Sequence, residues 1–160
     1  MRSVFVMFAA VVALVVPVSA AGVVNPADYK NAAKFCKALR ADMEQAATGS
    51  FKQTYGTNKD HSNAFGKCVS KNAHTVHKIH SSAVEQCKAA HAKPLGKCVR
   101  STERQGQAAA RSDIVNAAKQ CRAERSQDPA AFRQNYGTNR NHSNAFGKCV
   151  SKKVRESHGQ

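Results

Sequence analysis

Tryptophan is absent from this 160-residue chain, tyrosine occurs three times, and ten acidic residues stand against twenty-five lysines and arginines. Beyond residue 21, leucine and isoleucine are scarce while alanine is abundant. Each shortage excludes something. Sparse large apolar side chains allow helices but only a thin core. Few aromatics leave little on which nucleic-acid bases could stack. Few carboxylates leave little acid–base chemistry, and no nucleophile, base and orienting partner stand at a recognisable spacing. Asp28 and Asp113 form the one matched acidic pair, each near the expected start of a helix, where a carboxylate complements the dipole. The chain therefore reads as a non-enzyme that requires no cofactor. No segment alternates apolar and polar residues with period two, so no sheet is expected.

What is present begins with a leader. Met1 and Arg2 precede an almost unbroken apolar run from Val4 to Val16, then Pro17 and the small residues Val18-Ser19-Ala20-Ala21. This is the form of a secretory signal peptide over residues 1–21, with cleavage near Ala20–Ala21. The run is short for a membrane span, and no later segment could cross a bilayer. Residues 22–160 then form a secreted, periplasmic or cell-envelope protein in a compartment where disulfides persist.

Six cysteines carry two alternating phrases. Cys-(Lys/Arg)-Ala occurs at Cys36, Cys87 and Cys121, and (Phe/Leu)-Gly-Lys-Cys-Val at Cys68, Cys98 and Cys149. Around the outer pairs the likeness extends further. Residues 51–71, FKQTYGTNKDHSNAFGKCVSK, match residues 132–152, FRQNYGTNRNHSNAFGKCVSK, at seventeen of twenty-one positions. Upstream, Asn31-Ala-Ala-Lys-Phe-Cys36 matches Asn116-Ala-Ala-Lys-Gln-Cys121, with four extra residues before Phe51 in the first copy. Two full units, 25–80 and 111–157, flank an abbreviated unit, 81–110, that lacks the Tyr-Gly-Thr-Asn loop. All three are read as parts of one all-helical repeat domain over 22–160.

Helical spacing runs from the Asn25-Pro26 cap to about Ala47, through Tyr29, Phe35, Cys36, Leu39 and Met43. Residues 51–55 make one turn before Gly56. A second helix starts at Ser62 or Asn63, with Phe65, Cys68, Val69, Val76 and Ile79 along one side. Over 63–92 it is either continuous or broken at Ser82, which forms a capping-box pattern with Glu85. A third follows Pro94 toward Arg125, either continuous or broken near Gly106 or Ser112. Asp128-Pro129 opens a short turn, and Ser143 caps a last helix to about Glu156. Six cysteines allow fifteen pairings. The midpoints of 36–68, 87–98 and 121–149 fall in the expected connections, as antiparallel hairpins require, and equivalence of the units selects this set. The fold expected is all-α: disulfide-stapled antiparallel helical hairpins in a small bundle or short helical array.

The phrase YGTN-x-x-HSNAFGKCVSK, with NAAK-x-C upstream, resembles a repeat of uncharacterised exported bacterial proteins, which carry cysteine pairs in Lys- and Ala-rich helical surroundings. The resemblance covers both full units and implies no catalytic or binding role.

Net charge is +15, or +14 without Arg2, and it is spread along all helices. Such a surface attracts polyanions non-specifically: an anionic envelope polymer, lipid or nucleic acid. Within each Tyr-Gly-Thr-Asn loop, the next helix's free N–H groups at Ser62 and Ser143, with His61 and Lys67 or His142 and Lys148, are candidate anion-binding groups. The alternative is a purely structural loop of turn-forming Gly and Asn. HSNAFGKC lacks the first glycine and final hydroxyl of a phosphate-binding P-loop. A calcium loop from Asn58 fails because Val69 stands where glutamate is required. There is no Cys-x-x-Cys for zinc, redox or haem chemistry.

His74, His77 and His80, with His91 beyond, are candidate metal ligands, although steps of three drift around a helix. The function expected is that of an exported cationic binding or structural protein on anionic envelope or extracellular polymers. Weak metal binding through these histidines and a cationic antibacterial or toxin-like role are the alternatives. The toxin-like role lacks the broad apolar helix face it needs.

Overall fold

A computed structural model describes residues 26–46 and 50–159 of the chain. The expected leader, its cleavage point near Ala20–Ala21, the Asn25 cap and the side chain of Asp28 lie outside the described residues. Among the described residues six helices follow one another: α1 Pro26–Gln45, α2 Phe51–Tyr55, α3 Ala64–Ala89, α4 Leu95–Gln127, α5 Pro129–Tyr136 and α6 Ala145–Ser157. No strand occurs among the described residues. None of these helices is long and apolar enough to cross a membrane.

Three disulfides join the helices: Cys36–Cys68 ties α1 to α3, Cys87–Cys98 ties α3 to α4, and Cys121–Cys149 ties α4 to α6. The bundle is thus all-α and disulfide-stapled, and three disulfides fit an oxidising compartment. Both long helices are unbroken. Ser82 lies inside α3, its hydroxyl accepting from Gln86 Nε2 at 2.9 Å, so it caps nothing. Nor does α4 break near Gly106 or Ser112. Gly106 lies against α3, where a Cβ would come 2.8 Å from Ile79 Cγ2. That glycine lets the two helices approach closely; it does not end α4.

One apolar cluster runs through both full units, from Phe35, Leu39 and Met43 of α1 to Phe132, Phe146 and Val150 of α5 and α6. The middle hairpin has only a satellite core, Ala83, Cys87 and Val99, closed by its own staple. At its tip His91, at φ 48°, ends α3 in a left-handed residue, with Ala92 N–H returning to the Cys87 carbonyl at 3.1 Å. This is the Schellman closure usually built on glycine.

The two copies differ in how they hold their equivalent tyrosines. In the first, the buried Tyr55 hydroxyl accepts from Asn72 Nδ2 at 3.4 Å, and burial pushes its pKa up to about 12, offset in part by that bond. In the second, Tyr136 donates to Glu124 Oε2 at 2.8 Å, and Lys153 Nζ lies 2.7 Å from Glu124 Oε1. The Lys153 contact first, and then Tyr136, hold the Glu124 carboxyl below the usual range. A carboxylate whose folded pKa is depressed contributes stability that is complete above its unfolded value and lost as pH falls through the folded one. Glu124→Gln is therefore expected to cost about 0.5–1 kcal/mol at neutral pH, the modest value of a partly exposed network. The difference from the parent should vanish in acid. Urea midpoints of both proteins at pH 7 and pH 3 check this; an undiminished gap at pH 3 counts against it.

Candidate functional site

Residues 56–63 and 137–144 form two loops with matching hydrogen bonds, and their polar side chains are spent on one another. Asn63 Oδ1 accepts from Thr57 N–H at 3.0 Å while its Nδ2 donates to Thr57 Oγ1 at 2.8 Å; Asn144 and Thr138 repeat both bonds at 3.0 and 2.7 Å. Asn58 Nδ2 donates to Ser62 Oγ, and Asn139 Nδ2 to Ser143 Oγ. His61 and His142 adopt left-handed φ values of 56° and 52°, and the Nδ1 of each donates to the carbonyl of Gly56 or Gly137. A Cβ on Gly56 would come 2.4 Å from His61 Cβ, so the loop closes only on glycine.

The loop amides also find partners inside the loop, at 3.4 Å for Ser62 N–H and 3.5 Å for Asn63 N–H. Asp60 Oδ1 accepts from the Ser62 N–H and hydroxyl, and Asn58 Oδ1 accepts from the Asn63 N–H. The Ser62 bonds, backbone first, hold the exposed Asp60 carboxyl below its ordinary pKa. A negative charge thus already stands at this helix start. In the second loop, neutral Asn141 takes the same Ser143 N–H at 3.2 Å.

The cationic members of the set lead elsewhere. Where α2 and its loop pack on α6, a groove of about 560 Å³ opens between the two copies, lined by Lys71, Lys148 and Arg155 and, among the described residues, by no acidic one. Lys71 Nζ donates to Ser151 Oγ and stands 5.9 Å over the Tyr55 ring. Although Lys71 remains open to solvent along the groove, partial burial of its amine lowers its pKa, and the charges of Lys148 and Arg155 lower it further. Three like charges therefore crowd one site with no carboxylate among the described residues that line it. Thr54, which also lines the groove, is buried and its Oγ1 has no hydrogen-bond partner. Lys67 lines an adjoining cleft of about 370 Å³ with Ser70 and Lys71. On the far side of α2, His61 and His142 line a third cavity of about 330 Å³ with Arg125 and Arg133, again without a carboxylate.

Of the candidate anion-binding residues, then, Lys67 and Lys148 border the groove system, and the two histidines meet at a separate cavity that Ser143 also lines. Lys71 and Arg155 were not legible in sequence as site residues. The groove exists only between the copies, and Arg155 lies beyond the matched segment.

The candidate metal ligands do not converge. His74 is exposed, His80 Nδ1 lies 3.5 Å from Glu103 Oε2, and His91 serves the turn after α3. Among the described residues no three His, Cys, Asp or Glu side chains are grouped to hold an ion.

Fold and groove together define a disulfide-stapled all-α bundle with a cation-lined cleft between two like halves. The chain matches no protein-family model, no curated protein and no solved structure.

Proposed function

We propose that this is an exported binding or structural protein that holds an anionic polymer of the cell envelope or the extracellular space. The observation that carries the reading is the groove of Lys71, Lys148 and Arg155, where like charges are crowded with no carboxylate in the lining. Such an arrangement is electrostatically unfavourable in the empty protein and is relieved when acidic groups enter. A net charge of +14 without the leader's Arg2 adds long-range attraction. The leader over residues 1–21 delivers the protein to that setting, and mass spectrometry of the exported protein should find its N-terminus at Ala21 or Gly22.

The sign of the lysine effect gives a two-part test. A lysine whose folded pKa is depressed carries a penalty at neutral pH, and stability rises as pH climbs through the folded value toward the ordinary one. Lys71→Met keeps the stem over Tyr55 and removes the charge. It should leave the fold unharmed or stabilise it by up to roughly 1 kcal/mol, a screened value. The same substitution combined with Lys148→Gln should weaken retention on an immobilised polyanion and flatten its salt dependence by about two phosphate-equivalent contacts. Parent protein that is not retained, or retained without regard to salt, would refute polyanion binding. Retention that is unchanged in the double variant would instead refute this groove as its seat.

A further inference from the structure

The two full units do not face each other symmetrically. The α2 helix of the first copy packs on the start of α6, so that a Cβ on Gly147 would come 2.5 Å from the Thr54 carbonyl oxygen. Phe146 is 4% exposed there, lying under Arg125, which stacks on its ring at 5.0 Å and donates to Gln53 Oε1 at 2.9 Å. Among the described residues, the identical face of the first copy has no such cover. Phe65, the counterpart of Phe146, is 40% exposed, and a Cβ on Gly66, the counterpart of Gly147, would meet nothing within 4 Å. Phe65 was expected on the packed side of its helix, and its exposure follows from this missing cover. Arg40, the counterpart of Arg125, is turned to Glu44 on the surface.

The covering element also has an unused counterpart. In α5, Gln134 and Asn135 replace Gln53 and Thr54, and both are exposed. The chain therefore carries one joined pair of complementary faces and one open pair, an acceptor on α3 and a donor on α5. A glycine inside a helix weakens it, and at Gly66 no described residue uses the space it leaves.

We infer that the molecules associate head to tail, α5 of one copy seating on the Phe65–Gly66 face of α3 of the next, by the contact that already joins α2 to α6 within the chain. Gln134 would receive Arg40 as Gln53 receives Arg125. The pairing is heterologous, so it extends into rings or open arrays. Because each molecule is strongly cationic, screening favours assembly. Salt should therefore strengthen self-association while it weakens polyanion retention, which separates this inference from the function proposed above.

Sedimentation of the mature oxidised protein over a concentration series at low and high salt tests it. The weight-average mass should climb past the dimer, and more readily at high salt. Gly66→Ala, which crowds the acceptor, and Asn135→Arg, too long for the space in which Thr54 is buried, should each weaken association more than about tenfold. An unchanged circular dichroism melt, or a higher one for Gly66→Ala, confirms that the variants fold. Mixed one to one, the variants should form a dimer that grows no further, since one intact donor and one intact acceptor remain. A parent monomeric throughout, a closed symmetric dimer, association indifferent to either variant, or a mixture that fails to pair would each overturn the inference.

Discussion

Replacing Cys36 and Cys68 together by alanine is expected to cost about 3.7 kcal/mol, because the staple closes a loop of 32 residues and loop entropy returns to the unfolded chain when it is lost. The Cys121–Cys149 pair, separated by 28 residues, should cost about 3.6 kcal/mol, and the Cys87–Cys98 pair, separated by 11, about 2.8 kcal/mol. Packing sharpens the order. All four outer cysteines are fully buried in the main cluster, so the outer substitutions also leave cavities there. Cys98 is only partly buried, and the middle staple holds a satellite core. Against the ~5–15 kcal/mol of a typical domain, either outer loss takes a large share of total stability. Urea denaturation of the three double variants measures the ranking, and a middle pair that proves costliest would contradict it. Mild reduction should open Cys87–Cys98 first, read by alkylation and mass spectrometry.

The second large effect is a contrast between twin glycines. Gly147→Ala places a methyl group 2.5 Å from the Thr54 carbonyl, a backbone atom that moves only if α2 moves with it. Overpacking of this kind costs ~1–3 kcal/mol, and the gain in helix propensity recovers about 1 kcal/mol at most. The net loss should be up to about 2 kcal/mol. Gly66→Ala occupies the same place in the same local sequence, meets open space, and should gain up to about 1 kcal/mol in the monomer. Two identical substitutions in identical pentapeptides would then shift the thermal midpoint in opposite directions. Equal shifts, of either sign, would show that α2 does not sit on α6 as described.

The same contrast marks how far sequence reasoning reaches. The hairpin staples were legible because the cysteine phrases alternate and their midpoints fall in turns; both are local facts. The helices were legible from spacing and from caps such as Asp128, whose carboxylate accepts from the Ala130 and Ala131 amides. Continuity was harder to read. Ser82 and Gly106 look like interruptions in one dimension, yet α3 and α4 run on because each lies along the other. The histidines were legible only in part. His61 and His142 were read as groups that add charge; that their ring nitrogens also fasten the loop to Gly56 and Gly137 was not legible. Their role depends on a left-handed backbone angle that histidine seldom takes. The groove was invisible because its walls come from different copies, whose sequences are nearly the same and whose surroundings are not.

The placement of two staples on each of α3 and α4 has a mechanical consequence. Tension applied to the two ends of the chain passes from Cys36 across to Cys68, along α3 to Cys87, across to Cys98, along α4 to Cys121, and across to Cys149. The closed loops between each bonded pair never enter the load path. Even a fully unravelled molecule would therefore extend by much less than its contour length. A single peptide cut inside any loop would leave the pieces covalently joined, so the molecule behaves under load and under proteolysis as a short chain of rings.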